Sequence, residues 1–433
     1  MRVLFLEYNN YPIPDAVGNC ANKLRCQMHS QGVETDVLTF RWDRSLKDAY
    51  QDDLGMVYLA DSWMYHARVG RDANGKIVAP PMKLLWAVVT KTLAFLLGGR
   101  YVQEDKLPKA ACKAFRKRLQ ELCQERQYDW VIACSSPFCM NWIAVDTPMA
   151  AKRLLYYFDP PYYAAPGFST KPARVAARLN KEMTAWEKAD LVVTAPEHRK
   201  LVESPAFDSV REKLMTLTFP NMQLPRAEAK AVPLNNQVLQ QPFEEGNVNC
   251  VFLGTLYENG RQPKALLELF SAMAAYQPRL RLYLIGDKFG PSAGQQIAQY
   301  QSLLKERLIA LPAITQAEGE WVMQQADVLI NIGNVDQSCL PSKVFDLISV
   351  GKPILQICQV EDCNTLPFIR RYPKAFCCFS SQCGEPEAAK AAAAFCVEQA
   401  GTVCDVRELA KIYAGETARD IANKLLERMA LHQ

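Results

Sequence analysis

The segment of this chain whose residue types and spacing point most clearly to chemistry is Leu340–Ile354, LPSKVFDLISVGKPI. Pro341 and Ser342 suit the first turn of a helix, which would place Lys343 in that turn, where free backbone amides already favour an anion. Asp346 follows three residues later, so its side chain shares a helix face with that of Lys343. This face would offer a cation to a phosphate and a carboxylate to ribose hydroxyls. The alternative interpretation is a weak surface ion pair.

A second candidate anion site follows the apolar run that ends at Gly254. Arg261 and Lys264 come just before the helical run ALLELF. A cation beside a helix N-terminus with free backbone N–H groups is a natural site for a diphosphate. The alternative is that both cations only solvate the end of that helix.

Several other kinds of site are excluded because their motifs are absent. No G-x-G-x-x-G follows a strand and no G-x-x-x-x-G-K-[ST] occurs, so dinucleotide and P-loop sites lack their phosphate cradle. No D-x-D occurs, the four histidines are scattered, and no G-x-S-x-G elbow is present. We therefore expect neither a bound metal nor a resident cofactor.

The composition is that of a folded, mildly charged protein. Of the 433 residues, 49% are hydrophobic and 22% are charged, and 50 Lys and Arg against 46 Asp and Glu leave a net charge of +4, too small to indicate a nucleic-acid binder. Fifteen cysteines without a C-x-x-C pair indicate free thiols in a reducing compartment. Because the N-terminal MRVLFLEYNN lacks the pattern of a secretory signal, we expect a cytoplasmic protein.

Short apolar runs that end in turn-forming or polar residues alternate with helical segments along the chain, which is typical of parallel α/β sheets. In the first half these runs are Val3–Leu6, Val37–Phe40, Trp130–Cys134, Arg153–Phe158 and Leu191–Thr194. In the second half they are Cys250–Gly254, Leu280–Gly286, Leu308–Leu311, Val328–Ile330 and Pro353–Ile357. Ligands of such sheets bind at the carboxyl ends of the strands.

A polar stretch with three internal prolines, residues 221–249, separates the two sets of strands and is typical of a linker. We therefore predict an α/β fold with two tandem Rossmann-like, doubly wound domains, residues 1–222 and 223–410. An amphipathic helix within 411–433 could pack back on the N-terminal domain.

The same segments carry a resemblance to a known family. Leu340–Ile354, with FLGTL at 252–256 and LIGD at 284–287, resembles the donor half of the GT-B glycosyltransferases, and of glycosyltransferase family 4 in particular. In the first domain, three segments resemble the acceptor half: ACSSPF at 133–138, YYFDPPYY at 156–163 and WEKADLVVTAPE at 186–197. The resemblance covers nearly the whole chain and implies the GT-B architecture, in which the two domains face a cleft.

The resemblance also implies roles for individual residues. Arg261 and Lys343 would be the catalytic cations that neutralise the departing diphosphate, and Asp346 would bind the ribose. The other residues expected to contact the donor are Gly18, Asn19, Gly254, Thr255, Gly286 and Ser342. Asp159 is the acceptor-side candidate.

The chain departs from the family pattern at three positions. Ser338 stands where the family usually has an acidic residue that helps to orient the donor sugar, eight positions before the ribose carboxylate. Asp346 is shorter than the usual Glu, and Thr255 replaces a common Arg. A subset of the family shares the R-x-P of residues 261–263 and the P-S-K before the ribose carboxylate. The resemblance therefore predicts nucleotide-sugar binding but names neither the sugar nor the base.

Two groups of candidates in the first domain have structural alternatives. Gly18 and Asn19 would lie in a small-residue loop near the donor diphosphate, or would only form the N-cap of the helix that follows. Asp159 would contact acceptor hydroxyls, or would only start a turn.

Aromatic and histidine side chains in the first domain are weaker candidates. Tyr162 and Tyr163 could stack on sugar rings, although packing in the core or a loop is the better interpretation. His198 follows a strand end, and we expect it to be an ordinary surface histidine.

The leading hypothesis is a metal-independent GT-B glycosyltransferase that moves a sugar from a nucleotide-diphosphate sugar to a hydroxyl acceptor, in the assembly of a cell-surface polysaccharide or glycoconjugate. The resemblance implies retention of configuration at the anomeric carbon. One rival is a GT-B sugar-nucleotide epimerase, which would need acids and bases in the cleft. The other is a non-catalytic scaffold that binds sugar nucleotides, which Ser338 and Thr255 make credible.

An anionic membrane surface is a further candidate partner. Leu84–Gly99 is apolar apart from Lys91 and the threonines, and residues 83–118 hold nine Lys and Arg against Glu104 and Asp105. An apolar helix face beside clustered cations binds an anionic bilayer surface without crossing it, and a lipid-linked saccharide would then be the acceptor. The alternative is a buried core helix beside a solvated basic face, which is the commoner case.

Overall fold

The structure is a computed structural model that describes residues 1–10, 16–43, 45–62, 65, 88, 92, 109–165, 168–224, 246–257, 260–286, 288–289 and 291–432. The chain divides into two compact units. Unit 1 comprises Met1–Pro220 and Ala418–Gln433, and unit 2 comprises Asn221–Thr417. The predicted segment Leu84–Gly99, apart from Val88 and Thr92, and residues 225–245 of the predicted linker lie outside the described residues.

Unit 1 is built on an eight-stranded sheet. Its strands are β1 (Arg2–Leu6), β2 (Glu34–Phe40), β3 (Ala49–Asp52), β4 (Gly55–Ala60), β5 (Trp130–Ser135), β6 (Lys152–Tyr157), β7 (Leu191–Thr194) and β8 (Leu214–Thr216). They lie in the order β3-β4-β2-β1-β5-β6-β7-β8, and every neighbouring pair is parallel except β3 with β4. The central strands are buried along nearly their whole length, as their continuous apolar runs predict.

Within the described residues, the helices of unit 1 in the first part of the chain are α1 (Ala16–Ser30), α2 (Lys109–Glu125), α3 (Cys139–Asp146), α4 (Pro172–Lys188) and α5 (Arg199–Val202). Helix α1 begins two residues before Gly18, so Gly18 and Asn19 lie inside its first turn. The prediction that they precede the helix as a loop or N-cap is therefore wrong. Ala16 and Val17, which precede the glycine, are already helical.

Unit 2 is built on a six-stranded parallel sheet and a separate two-stranded parallel pair. The strands are β9 (Val248–Leu253), β10 (Leu256–Tyr257), β11 (Leu280–Ile285), β12 (Lys288–Phe289), β13 (Leu308–Leu311), β14 (Val328–Ile332), β15 (Ile354–Cys358) and β16 (Ala375–Phe379). The large sheet has the order β13-β11-β9-β14-β15-β16, and β10 pairs with β12.

The helices of unit 2 are α6 (Lys264–Tyr276), α7 (Pro291–Leu304), α8 (Gln316–Gln325), α9 (Lys343–Val350), α10 (Leu366–Ile369), α11 (Pro386–Gln399) and α12 (Val406–Ile412). The last helix, α13 (Ala418–Ala430), returns to unit 1 and packs against α1. The predicted fold class, two α/β units on parallel sheets, is confirmed. No helix among the described residues is long and apolar enough to cross a membrane.

Candidate functional site

The strand order of unit 2 has one point at which the chain changes direction across the sheet. From β9 the chain runs outward through β11 and β13, and it then returns to β14 on the other side of β9 before it runs outward through β15 and β16. In open α/β sheets, ligands bind outside the carboxyl ends of the strands at such a switch point. The loops that follow β9 and β14, together with helix α9 after the second loop, contain six of the nine residues that the sequence predicts for the donor.

Two glycines bring the starts of the β9 and β11 loops into contact. Gly254 donates its N–H to the carbonyl of Ile285 at 2.9 Å. A Cβ added to Gly286 would lie 2.0 Å from the carbonyl oxygen of Gly254, and Gly286 has a φ of +140°. No residue with a side chain fits there without movement of the backbone. The predicted pair Gly254 and Gly286 is therefore brought together.

Arg261 lies across the carboxyl ends of the two central strands. Its Nη1 atom is 3.4 Å from the position of a Cβ on Gly254, and its Nη2 donates to Oδ1 of Asn334 at 3.3 Å. Lys264 is in a different environment. Its side chain is 65% exposed at the start of α6, where Nζ lies 3.7 Å from Oε1 of Glu268. Of the two predicted cations, Arg261 contacts the switch-point loops, whereas Lys264 pairs along its own helix.

Lys343 and Asp346 form the pair that their spacing predicts. Nζ of Lys343 lies 3.7 Å from Oδ2 of Asp346, and the side chain of Asp346 is only 13% exposed. Helix α9 begins at Lys343, so Pro341 and Ser342 precede the helix instead of forming its first turn. Their carbonyls close that turn by accepting the N–H groups of residues 344 and 345 at 3.2 Å. The i,i+3 ion pair of the alternative interpretation is therefore present, with the Asp346 carboxylate largely buried and the Lys343 side chain 32% exposed.

A set of amide side chains ties the loop after β14 to its neighbours, and the sequence analysis did not identify it. Asn334 is 6% exposed and donates from Nδ2 to the carbonyl of Cys339 at 3.0 Å. Gln359 donates to the carbonyls of Gly333 at 2.8 Å and Gly260 at 3.3 Å. The only signal in the sequence was a polar residue shortly after each strand end, as in NIGN at 331–334.

A second pair of amides completes this set. Asn364 donates its backbone N–H to Oε1 of Gln337 at 2.6 Å and its side-chain Nδ2 to the Gln337 carbonyl at 3.1 Å. Gln337 in turn donates to the carbonyl of Asn334. Ser338, the residue in the position of the family acid, donates its N–H to Oδ1 of Asp336 at 2.8 Å. We call Asn334, Gln337, Gln359 and Asn364 the amide network.

The predicted site residues of the first domain lie in unit 1. Gly18 is buried in α1 and Asn19 is half-buried beside it. Asp159 is half-buried, two residues after the end of β6. Tyr162 packs in the core, with its ring 5.1 Å from that of Phe138. This agrees with the packing interpretation of that tyrosine.

The histidine expected at the surface is buried. His198 closes the short turn Pro196–His198 by donating its backbone N–H to the carbonyl of Ala195 at 3.0 Å, and the residue is 2% exposed. The expectation of a surface histidine is therefore wrong, because the turn after β7 directs this residue inward.

Unit 1 also holds a buried acid that the sequence analysis did not identify. Glu182 on α4 is fully buried, and its carboxylate accepts the N–H groups of Tyr162 at 2.8 Å and Tyr163 at 3.1 Å. Burial raises the pKa of Glu182 to about 7, although these backbone hydrogen bonds and one from Tyr157 favour the charged form. The carboxylate thus anchors the segment that follows Asp159.

The basic stretch in the first domain includes the outward face of α2. This helix buries Ala111, Phe115, Leu119 and Leu122 against the core, and Lys113 and Lys117 are exposed. Arg116 lies 3.7 Å from Asp146, and Arg118 lies 3.3 Å from Glu121. Part of this positive charge is therefore matched by acids of unit 1.

The described residues contain no group of three or more His, Cys, Asp or Glu side chains that could hold a metal ion. None of the fifteen cysteines, all of which lie within the described residues, forms a disulfide.

Comparison with known proteins gives structural matches only. No protein-family model matches the chain, and no curated protein matches it in sequence. Sucrose-phosphate synthase from Thermosynechococcus elongatus is similar at a TM-score of 0.58 and 13% identity, over 100% of this chain and 99% of that one. The Anabaena protein HepE, solved in complex with UDP-glucose, is similar at a TM-score of 0.60 and 12% identity over 100% of both chains. The fold is that of the GT-B glycosyltransferases.

A third GT-B structure extends this similarity. The catalytic domain of starch synthase IV from Arabidopsis thaliana, bound to ADP and acarbose, is similar at a TM-score of 0.60 and 11% identity, over 99% of this chain and 98% of that one. The resemblance to GT-B proteins that the sequence predicts is confirmed at the level of the fold. The finer assignment to glycosyltransferase family 4 stays a prediction.

Proposed function

We propose that this protein is a glycosyltransferase that transfers a sugar from a nucleoside-diphosphate sugar to a hydroxyl acceptor. The observation that carries the proposal is the position of Arg261. Its guanidinium lies beside Gly254 and contacts the loop after β14, at the switch point of the unit 2 sheet. That is where a parallel α/β sheet binds a ligand, and a guanidinium there suits a diphosphate.

The ligands of the similar structures support the choice of substrate. HepE was solved with UDP-glucose and starch synthase IV with ADP. Both ligands contain a nucleoside diphosphate, so we propose a donor of that class for this chain. The base and the sugar are left open.

The proposed roles follow from charge and position. As the bond from the sugar to the diphosphate breaks, negative charge grows on the leaving group, and Arg261 and Lys343 would neutralise it. Loss of one such group typically costs roughly 3–4 kcal/mol of transition-state stabilisation. Asp346 would accept hydrogen bonds from the ribose hydroxyls, with Thr255 and Ser342 as further contacts to the donor. We propose that these cations act without a divalent metal.

The acceptor and the stereochemistry are proposed more broadly. The acceptor would be a hydroxyl of a glycan or of a lipid-linked saccharide, with Asp159 as the candidate contact in unit 1. The family resemblance supports retention of configuration and a role in polysaccharide assembly. The exposed lysines of α2 support peripheral contact with an anionic membrane.

The test is release of nucleoside diphosphate from a panel of UDP-, GDP- and ADP-sugars in the presence of glycan acceptors. We expect Arg261→Ala and Lys343→Ala each to reduce turnover about tenfold or more, with an unchanged melting temperature. Lys264→Ala is the matched control, because Lys264 lies three residues from Arg261 and pairs with Glu268. It should keep wild-type turnover.

The outcomes separate the proposed function from its rivals. Release that depends on the acceptor supports transfer. A donor whose sugar is altered without release indicates an epimerase, and binding without any change indicates a scaffold. Wild-type turnover in both the Arg261 and Lys343 variants would show that the donor site lies elsewhere in the chain.

A further inference from the structure

We propose that Asn334 is a positioning residue for Arg261, which it orients toward the donor diphosphate without cancelling the charge of the guanidinium. This inference rests on the proposed function. It gives Asn334, one residue of the amide network, a role in the proposed donor site.

Both ends of the Asn334 amide have a partner, so its orientation is determined. Oδ1 accepts from Nη2 of Arg261 at 3.3 Å, and Nδ2 donates to the carbonyl of Cys339 at 3.0 Å. A carbonyl oxygen can only accept and a guanidinium can only donate, so a flipped amide would face the wrong partner on both sides. Because the residue is 6% exposed, water competes little for these bonds.

The backbone that carries Arg261 is tied to the same loop. Val335 donates its N–H to the carbonyl of Gly260 at 2.8 Å, and Gln359 donates to that carbonyl and to the carbonyl of Gly333. The backbone just before Arg261 and the tip of its side chain are thus both attached to the loop after β14. An arginine side chain loses much rotamer freedom when it binds a phosphate, and prior attachment reduces that loss.

The side chains of Asn334 and Gln359 and the backbone groups in this attachment are neutral. A carboxylate in the place of Asn334 would hold the guanidinium at least as firmly, because charge-assisted hydrogen bonds are stronger than neutral ones. It would also place a negative charge beside the position of the diphosphate. An amide positions Arg261 and contributes no net charge, so the site keeps its attraction for the ligand.

The experiment measures dissociation constants by calorimetry for UDP, GDP and ADP and for the corresponding nucleosides. We expect Asn334→Ala to weaken binding of the preferred diphosphate about fivefold, the usual effect of losing one orienting hydrogen bond. We expect Asn334→Asp, which has nearly the same shape, to weaken it about tenfold or more because of the added charge. Nucleoside binding should change less than about twofold in both variants, since the nucleoside has no phosphate.

A double-mutant cycle separates positioning from general damage. In the Arg261→Ala background, Asn334→Ala should have no further effect on diphosphate binding beyond about twofold, because nothing remains to be oriented. The matched control is Asn249→Ala. Asn249 is also a buried asparagine of unit 2, 3% exposed, and it bonds Asp327 at 3.0 Å at the amino end of β9. This variant should keep wild-type diphosphate affinity.

Each result decides the question. If the wild-type protein binds none of the three diphosphates, the proposed function fails and this inference fails with it. If the wild type binds and Arg261→Ala weakens binding, but both Asn334 variants bind as the wild type does, the inference alone is overturned. It is also overturned if the effect of Asn334→Ala persists undiminished without Arg261. If Asn334→Ala does not fold, Asn334→Asp is the variant that tests the inference. A purely structural role of Asn334 predicts that Asn334→Asp changes nucleoside and diphosphate affinity by the same factor.

Discussion

The buried carboxylate of Glu182 should make the stability of this protein fall as the pH rises from acid to neutral. The side chain accepts two backbone N–H groups, from Tyr162 and Tyr163, and no part of it reaches solvent. Arg178 contributes an attractive charge, but burial dominates and raises the pKa from an ordinary 4.5 to about 7. The perturbation we propose is Glu182→Gln, which keeps the shape and removes the titration.

The sign of this pH dependence follows from whether the folded or the unfolded chain holds the proton of Glu182. Below pH 4.5 the carboxyl is protonated in both the folded and the unfolded chain. Between pH 4.5 and about 7 the unfolded chain releases this proton while the folded chain retains it, so unfolding becomes more favourable. Above about pH 7 both states are ionised and the effect is constant. At roughly 1.4 kcal/mol per pKa unit, the whole change is about 3 kcal/mol.

The assay is urea unfolding at pH values between 4.5 and 8, followed by tryptophan fluorescence. Trp186 is a suitable reporter, because its Nε1 donates to the hydroxyl of Tyr157 at 2.8 Å next to the buried acid. The quantity of interest is the free energy of unfolding of the wild type minus that of Glu182→Gln. This difference removes the contribution of all other titrating groups, and we expect it to decrease by about 3 kcal/mol from pH 4.5 to 8.

Glu187→Gln is the matched control for this series. Glu187 lies on the same helix but is exposed, so its replacement should leave the pH dependence of stability unchanged. A wild-type-minus-Glu182→Gln difference that is constant across this pH range, or that increases with pH, would show that folding does not raise the pKa of this carboxylate. The reasoning from burial would then be wrong.

Two further predictions concern the ligands. Asp346→Asn should weaken binding of the bare nucleoside diphosphate about tenfold while leaving the preference among donor sugars unchanged, because the carboxylate would contact the ribose. Calorimetry with the diphosphate alone measures this affinity. An unchanged dissociation constant would mean that Asp346 only pairs with Lys343. The protein should float with vesicles of acidic phospholipid at low salt and be released at high salt, since each cation near such a surface contributes about 1 kcal/mol. The variant that should abolish flotation, while sparing nucleotide binding, replaces Lys113, Arg116, Lys117 and Arg118 together. Failure to float at any salt concentration would favour a soluble acceptor.

The central strands could be predicted from the sequence because burial on both faces leaves a continuous apolar run. The predicted bounds of Leu191–Thr194 and Leu308–Leu311 agree with β7 and β13. The two edge strands of the unit 1 sheet were missed, although β13, an edge strand of the unit 2 sheet, was predicted. β3, with the sequence AYQD, and β8, with LMT, are short and only partly buried, so little in their residues distinguishes them from loops.

The site shows the same division between local and distant signals. The pair of Lys343 and Asp346 could be predicted because both residues lie within one helical turn. The contact of Arg261 with Asn334 could not, since it joins residues 73 positions apart and depends on β9 and β14 being neighbours in the sheet. Sequence periodicity predicts elements, whereas the pairing of loops depends on the order in which the strands assemble.

The charges of the loop after β14 bear on whether this protein is a catalyst or a scaffold. Ser338 leaves the loop without an acid where the family resemblance expects one to orient the sugar, and the loop is held by the neutral amide network. The residues proposed to hold the phosphate and ribose, Arg261, Lys343 and Asp346, are all present. Under the proposed function, nucleotide binding and sugar orientation would therefore depend on different residues. If the protein is a scaffold, it should bind the diphosphate tightly, Arg261→Ala should weaken that binding, and no donor should release its diphosphate. If it is a transferase, Arg261→Ala should reduce both diphosphate binding and turnover.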